Sequence, residues 1–387
     1  MKSDFCFGQR WARCQGRSEI VAWEVCKFHV FCLGPICGRE RGPCPLPLHQ
    51  GGQGVISVAL PCYNSGEGLG ACLDSLLAQT WEEFEVVAVN DGSLDDTLAL
   101  LRRYAARDSR IRVFDRPHGG VVQAMNFALE QCRGEYVARM DSDDVCLPGR
   151  LAVQKAHLDR HSHLGLVGGR VLFGGDPETG RGYKAYVDWT NTLVTEEEIS
   201  LSRFVESPYA NPSIMFRKEL VSRCGPFYDG PFPEDYEFLL RLMAAGVRMD
   251  KVPQEVLIWN DPPSRLTRTD PRYDPDAFYR TKAAYLARWL DSRGIGRVSI
   301  IGGGRITRRR ALMLEEHGIV IDCWLEVDPA KIGQRASGRP VRSWHEVGAP
   351  QGEFLLSYVG SRGAGARIAS ELEERGWIAG IHFLLAA

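Results

Sequence analysis

The chain has 387 residues, of which 44% are hydrophobic and 25% charged, with a formal net charge of −2. That length suits two domains and that composition a soluble globular fold. No uninterrupted apolar run reaches the ~18 residues that span a bilayer, and the near-balanced charge gives no field toward nucleic acid or anionic lipid, so membrane contact is peripheral at most.

Residues 1–54 differ from the rest. Six of the 12 cysteines lie there, Cys6, Cys14, Cys26, Cys32, Cys37 and Cys44, with no C-x-x-C spacing to suggest zinc. A Gly/Pro-rich piece follows over 42–54, and there is no basic region, clean apolar core and small-residue cleavage site of a secretory signal. The expectation is an N-terminal extension, disordered or a misassigned start. The later cysteines sit in apolar patterns and read as small buried hydrophobes of a reducing, cytoplasmic setting.

Order is expected from Val55. An apolar run over 55–60 predicts a buried strand ending at Pro61. Leu69, Cys72, Leu73, Leu76 and Leu77 follow helical spacing. Residues 85–89 predict a second strand, ending in Asn90-Asp91-Gly92-Ser93. Ser93 with Asp96 fits a capping box for a helix through about Arg107. A third strand is expected at 111–114, then His118-Gly119-Gly120 and a helix with Val122, Met125 and Leu129 on one side. Residues 136–140 form a fourth strand that runs into Asp141, Asp143 and Asp144. Strands alternating with helices imply a parallel sheet, whose ligands bind beyond the strands' carboxyl ends. Tyr63, Asp91 and Asp141 each sit at or just past such an end.

The pattern then loosens. A helix is expected over 148–161, a strand with paired glycines over 166–173, and polar loop over 174–200. Asn211-Pro212 precedes a strand at 213–216. Pro233-Glu234-Asp235 opens a helix carrying Phe238, Leu239 and Leu242, with acids where the macrodipole favours them. Residues 261–276 hold four prolines and read as an ordered loop, 277–290 as a helix and 291–296 as a linker. A second α/β domain then opens with a strand at 298–301 and Gly302-Gly303-Gly304 before a helix. This is part of a dinucleotide fingerprint, with Thr307 where the third glycine belongs. A second strand at 320–327 carries Asp322 and Glu326, with Asp328 after it, and further elements are expected at 354–359, 366–376 and 381–385.

In an extended chain Asp141 and Asp143 point the same way, and two hard oxygen ligands suit Mg²⁺ or Mn²⁺. Three carboxylates this close repel one another without a cation. Asp91 is an acceptor for a nucleobase N–H or a turn residue, since Asp-Gly is turn chemistry. Glu234 and Asp235 are helix-start acids, one of them a possible general base.

Pro61-Cys62-Tyr63-Asn64 with Gln79, the run V-A-V-N-D-G-S at 87–93 with Asp95, and the stretch 134–148 ending M-D-S-D-D-V-C-L-P form one series. N-P-S-I-M-F-R at 211–217 and P-E-D-Y-E-F-L-L-R-L at 233–242 extend it. In order and spacing this series resembles the inverting family 2 glycosyltransferases of the GT-A fold, over about 55–290. The resemblance implies a nucleotide-sugar donor, usually a UDP-sugar. It puts Pro61, Tyr63 and Glu67 in the nucleotide pocket, Asp91 on the base, Asp141 with Ser142 on the donor, Asp143 on the metal and Asp235 as base. Three departures stand out: His118 before the glycines, Met125 beside Asn126, and no late histidine in Trp259-Asn260-Asp261-Pro262.

Residues 297–387 are similar to Rossmann-like modules appended to some sugar-transfer enzymes, on Val327-Asp328-Pro329-Ala330-Lys331-Ile332-Gly333-Gln334 and Gly338-Arg339-Pro340-Val341. The acceptor stays open among a glycan, a lipid-linked sugar and a modified tRNA nucleoside. The expected class is thus α/β, a GT-A nucleotide-diphospho-sugar transferase domain plus a small Rossmann-like domain. Two other classes stand beside it: an NAD(P)-dependent or nucleotide-sugar oxidoreductase using the C-terminal domain, and a catalytically silent nucleotide-sugar binder.

Overall fold

Two sheets organise the computed structural model, which describes residues 55–263, 265–361 and 363–387. The expected N-terminal extension lies outside the described residues. The chain begins with β1 (Ile56–Cys62), α1 (Leu69–Leu77), β2 (Phe84–Asp91), α2 (Thr97–Ala105), β3 (Ile111–Arg116), α3 (Val121–Gln131) and β4 (Tyr136–Arg139). Strands β3, β2, β1 and β4 lie side by side and parallel. Their near-continuous apolar runs follow from burial on both faces. Along β1 and β2, Val58, Leu60, Val86 and Ala88 enter one core, while Ala59, Val87 and Val89 enter the other.

Next come β5 (Val145–Cys146), α4 (Arg150–Arg160), β6 (Leu164–Phe173), α5 (Arg181–Thr190), α6 (Glu196–Ser202), β7 (Met215–Arg217), α7 (Glu219–Cys224), α8 (Glu234–Ala244) and β8 (Arg248–Trp259). Strand β7 joins β4 and β6 antiparallel, and β8 runs parallel to β6. The result is an eight-stranded mixed sheet, the GT-A-like α/β arrangement that the resemblance implies.

Several expectations change. Residues 174–200 are not loop-rich: they hold α5 and α6, and Thr195 with Glu198 forms a capping box. Strand β8 is not predicted because Pro253 interrupts it. Pro253 sits where the register with β6 jumps from Val252 to Glu255, at a bulge that tolerates a missing N–H. Pro61 lies inside β1 rather than ending it. The proposed cap Ser93 does not cap α2, which starts at Thr97; its hydroxyl accepts the N–H of Asn64 instead.

After α9 (Leu266–Thr269) and α10 (Pro275–Asp291) the second sheet follows. It contains β9 (Arg297–Ile301), α11 (Arg305–Ala311), β10 (Val320–Glu326), β11 (Arg335–Ala336), β12 (Arg339–Ser343), β13 (Leu355–Ser357), α12 (Ala364–Glu374) and β14 (Phe383–Leu385). The strand order is β11-β12-β10-β9-β13-β14, parallel except for the β11–β12 pair.

Helix α8 is shared by two cores. Phe238, Leu239 and Leu242 pack beneath the large sheet, while Tyr236 and Leu240 pack with Leu286, Ile300 and Trp324 of the second. Phe238 is fully buried and stacks on Phe227 at 4.3 Å. Phe238→Ala is therefore expected to lower stability by about 3–5 kcal/mol, the usual cost of removing a buried phenyl ring. Urea unfolding checks this, and a loss under about 1 kcal/mol would show that the site collapses around the deletion. Among the described residues, no helix is long and apolar enough to cross a membrane.

Candidate active site

Register brings the predicted residues to one edge. Cys62 pairs with Asn90 and Ala59 with Arg139, so Tyr63, Asp91 and Asp141 leave the sheet at neighbouring points. Between Asp141 and Asp144 the chain turns, with the N–H of Asp144 donating to the Asp141 carbonyl at 3.3 Å. The extended geometry expected for Asp141 and Asp143 is replaced by this turn, which gathers Asp144 as well. Oxygens of all three carboxylates lie within 4.8 Å of one another.

Their electrostatics are those of crowded anions. Burial, then the charge of Asp141, pushes the Asp143 carboxyl up to about 6. Asp144 is raised well above the ordinary carboxylate range by burial, then by Asp141 and Asp143. One Asp144 oxygen accepts the Asn260 N–H at 2.8 Å, while Oδ2 is buried without a partner. The Asn260 side chain donates to the Asp143 carbonyl at 2.6 Å. Three hard-oxygen donors, mutual repulsion and an orphaned buried oxygen fit a divalent cation such as Mg²⁺ or Mn²⁺.

On the other side, Asp91 is 4% exposed. Its oxygens accept the N–H groups of Gly119 and Gly120, each at 2.9 Å, and His118 Nδ1 lies 2.9 Å from Oδ2. Gly92 has φ +70°, and a Cβ there would stand 2.5 Å from the His118 nitrogen, so only glycine fits this crossing. The Tyr63 ring stacks on His118 at 4.1 Å. The divergent His118 is thus a brace of the Asp91 cradle. Pro61 is partly exposed and Glu67 exposed; Ser142 bonds Ser65 at 2.7 Å. The two loops are cross-tied, since Asp95 accepts the Gly66 N–H and Thr97 the Ser65 N–H.

At the start of α8 the two acids part company. Glu234 is 4% exposed, and both its oxygens lie 2.8 Å from the Tyr273 hydroxyl. Burial, then the Asp235 charge, pushes Glu234 up to about 7. Asp235 is only partly buried, and its Oδ1 accepts the Tyr236 N–H at 2.7 Å. Burial raises its pKa, opposed by that N–H and by the Arg139 charge.

Sequence reasoning missed Arg139. It is 5% exposed, and its Nη1 lies against Asp141 Oδ1. With the Asn211 amide oriented to face it, that oxygen accepts from Nε and Nη2 at 3.1 and 3.2 Å. Its charge also acts on Asp235 and Glu234. A cation inside an apolar strand directly before three acids is the signal that could have found it. Arg150, 1% exposed, donates to the Arg139 carbonyl at 2.7 Å and so fixes the backbone entering the acid turn.

In the second sheet, the Gly303 N–H donates to Glu326 at 3.2 Å, and a Cβ on Gly303 would come 2.7 Å from that carboxylate. Thr307 donates to the Tyr358 carbonyl at 3.3 Å. The glycine loop is thus engaged by the chain's own side chain.

The sequence model of the family described as "Glycosyl transferase family 2" matches residues 57–225. The amylovoran biosynthesis glycosyltransferase AmsE of Erwinia amylovora is 30% identical over 206 residues, 52% of this chain and 75% of its own. The O-antigen biosynthesis glycosyltransferase WbnJ of Escherichia coli is 26% identical over 244 residues, 62% of this chain and 91% of its own. The match to an uncharacterized glycosyltransferase of Haemophilus influenzae, at 27% identity, takes in 50% of this chain but only 61% of that relative's length. Among solved structures, S. aureus TarS 1-349 in complex with UDP-GlcNAc is 21% identical, with a TM-score of 0.47 over 67% of this chain and 70% of that one.

Proposed function

The chain belongs to glycosyltransferase family 2, and we propose that it moves a sugar from a nucleotide-sugar, a UDP-sugar by the family resemblance, to an acceptor hydroxyl with inversion at the anomeric carbon. The observation that supports this reading is one arrangement: the Asp91 cradle and the acid turn leave the sheet at neighbouring strand ends, and Arg139, against Asp141, acts by its charge on Asp235. The cradle with Tyr63 and Pro61 takes the nucleotide, beside Glu67 and Ser142. Asp143, with Asp141 and Asp144, would hold Mn²⁺ or Mg²⁺. Such a cation neutralises charge gathering on a departing diphosphate.

Asp235 does the proton chemistry. Burial raises its pKa and so its basicity, while the Arg139 charge opposes that rise. It takes the hydroxyl proton as the acceptor oxygen bonds to C1. The C1–O bond to the diphosphate breaks with its electron pair, on the opposite face, so the centre inverts. Glu234, held by Tyr273, positions rather than reacts.

The oxidoreductase reading is weakened by Thr307, which stands where the dinucleotide fingerprint has its third glycine and donates to the Tyr358 carbonyl instead. The test is a panel of UDP- and GDP-sugars beside NAD⁺ and NADP⁺, followed by thermal shift and nucleotide diphosphate release. A UDP-sugar is expected to raise the melting temperature and to yield UDP slowly. Stabilisation by NAD⁺ or NADP⁺ with no response to any nucleotide-sugar would sink the proposal.

A further inference from the structure

The cradle leaves the Asp91 carboxylate little to offer a ligand. Oδ1 accepts the Gly119 N–H, while Oδ2 accepts the Gly120 N–H and lies 2.9 Å from His118 Nδ1. Three of the carboxylate's roughly four lone-pair sites are thus spent within the chain. The Asp91 side chain is 6% exposed, whereas that of His118 is 51% exposed. His118 Nδ1 also lies 3.0 Å from the Asp91 carbonyl oxygen. Both groups facing Nδ1 are acceptors, so Nδ1 carries the proton. In the neutral ring the other nitrogen, Nε2, is then a bare acceptor. It has no partner among the described residues. A carboxylate behind Nδ1–H fixes the tautomer and makes Nε2 the better acceptor. The ring is also held from its face. Tyr63 stacks on it with the two planes 25° apart. The Tyr63 loop is tied in turn to the loop after β2, through Asn64 N–H to Ser93 Oγ at 3.0 Å and Leu94 N–H to Asn64 Oδ1 at 2.8 Å.

We propose that His118, and not Asp91, reads the nucleobase through Nε2, and that it selects a base carrying a ring N–H, uracil or guanine. The idea rests on the nucleotide-sugar reading and assigns the base contact within it. Uracil N3–H and guanine N1–H are donors that meet the Nε2 lone pair. Cytosine N3 and adenine N1 are acceptors at the corresponding edge, so there two lone pairs would face each other with no bond made. A contact of this kind discriminates more sharply than apolar fit, because the wrong base leaves polar groups unpaired. Asp91 is then a positioning residue, which holds the imidazole by Nδ1 and the Gly119–Gly120 turn by its N–H groups. His118, a departure from the family pattern, takes over the contact that the resemblance gives to Asp91.

The test uses the full chain with Mn²⁺ and measures dissociation constants by calorimetry. UDP, GDP, CDP and ADP are compared, together with UDP methylated at uracil N3 and GDP methylated at guanine N1. The tighter of UDP and GDP names the base. Methylation of that base is expected to weaken binding at least about tenfold, and CDP and ADP to be weaker by a similar factor, the order set by one lost hydrogen bond and an unpaired group. His118→Asn keeps a side-chain N–H for Asp91 and lacks Nε2. In this variant the methylated and unmethylated nucleotides are expected to bind within about twofold of each other, with the melting temperature of the free protein as the check on folding. His118→Ala carries the same expectation. The inference is overturned if methylation changes native binding by less than about twofold, if CDP or ADP binds as tightly as the better of UDP and GDP, or if either folded variant keeps the native discrimination, which would return base reading to Asp91. Failure of the parent reading looks different: neither UDP nor GDP would then bind at all.

Discussion

Asp235→Asn is expected to lower sugar transfer by ~10²–10⁴-fold, the usual worth of a positioned base, while UDP-sugar affinity stays within about twofold. The amide keeps the shape and still accepts the Tyr236 N–H at Oδ1, so the helix start is undisturbed. What disappears is the proton acceptor. A sugar hydroxyl is too weakly acidic to attack C1 unaided, so the loss falls on kcat. Donor affinity is spared because the Asp91 cradle and Tyr63 belong to other strand ends. Glu234→Gln is expected to be milder for transfer, since Glu234 already spends both oxygens on Tyr273. Steady-state kinetics with UDP detection decides the matter. Retention of more than about a tenth of native kcat by Asp235→Asn would move the base elsewhere, with Glu234 next in line.

Asp143→Asn should cost as much in turnover, about 10²–10³-fold, if the cation contributes the several kcal/mol usual for charge stabilisation at a leaving group. It also makes a second, independent mark. Burial and Asp141 raise the Asp143 pKa from an ordinary 3.8 to about 6. The folded state therefore binds this proton more tightly than the unfolded chain does. Stability from this group is full below about pH 4 and is lost as pH rises through about 6. In EDTA the native protein should melt several degrees lower at pH 7.5 than at pH 5.5, and Mn²⁺ at pH 7.5 should restore the difference. In Asp143→Asn both the pH gap and the Mn²⁺ increment should shrink. Full transfer in EDTA, with a melting temperature indifferent to Mn²⁺, would place this chain among metal-independent enzymes.

The first half of the fold was legible because its rules are local. Strands β1, β2 and β4 are apolar on both faces, and Leu69, Cys72, Leu73 and Leu76 mark α1. Past β4 the rules become long-range. Strand β8 is held by its pairing with β6 in spite of Pro253, which no local pattern announces. Helix α6 was readable but overlooked, for Thr195 and three successive glutamates mark its start. The candidate site divides in the same way. Asp91, Asp143 and Asp235 stand in short motifs. Arg139 acts through Asp141, Asn211 and Asp235, which lie far apart in the chain or on other elements. Its place in the strand just ahead of the acids is legible in the sequence, but its reach to Asn211 and Asp235 is visible only once the chain has folded.

Helix α8 belongs to two cores at once, and a helix so placed has no unfolding free energy of its own. Cooperative opening of the second sheet uncovers Tyr236 and Leu240, and the same fluctuation frees the carboxylate one residue earlier. Local openings of this kind cost less than global unfolding. The proposed transfer is thus expected to fail on heating once the second sheet opens, even where the larger sheet, with the Asp91 cradle, is still intact.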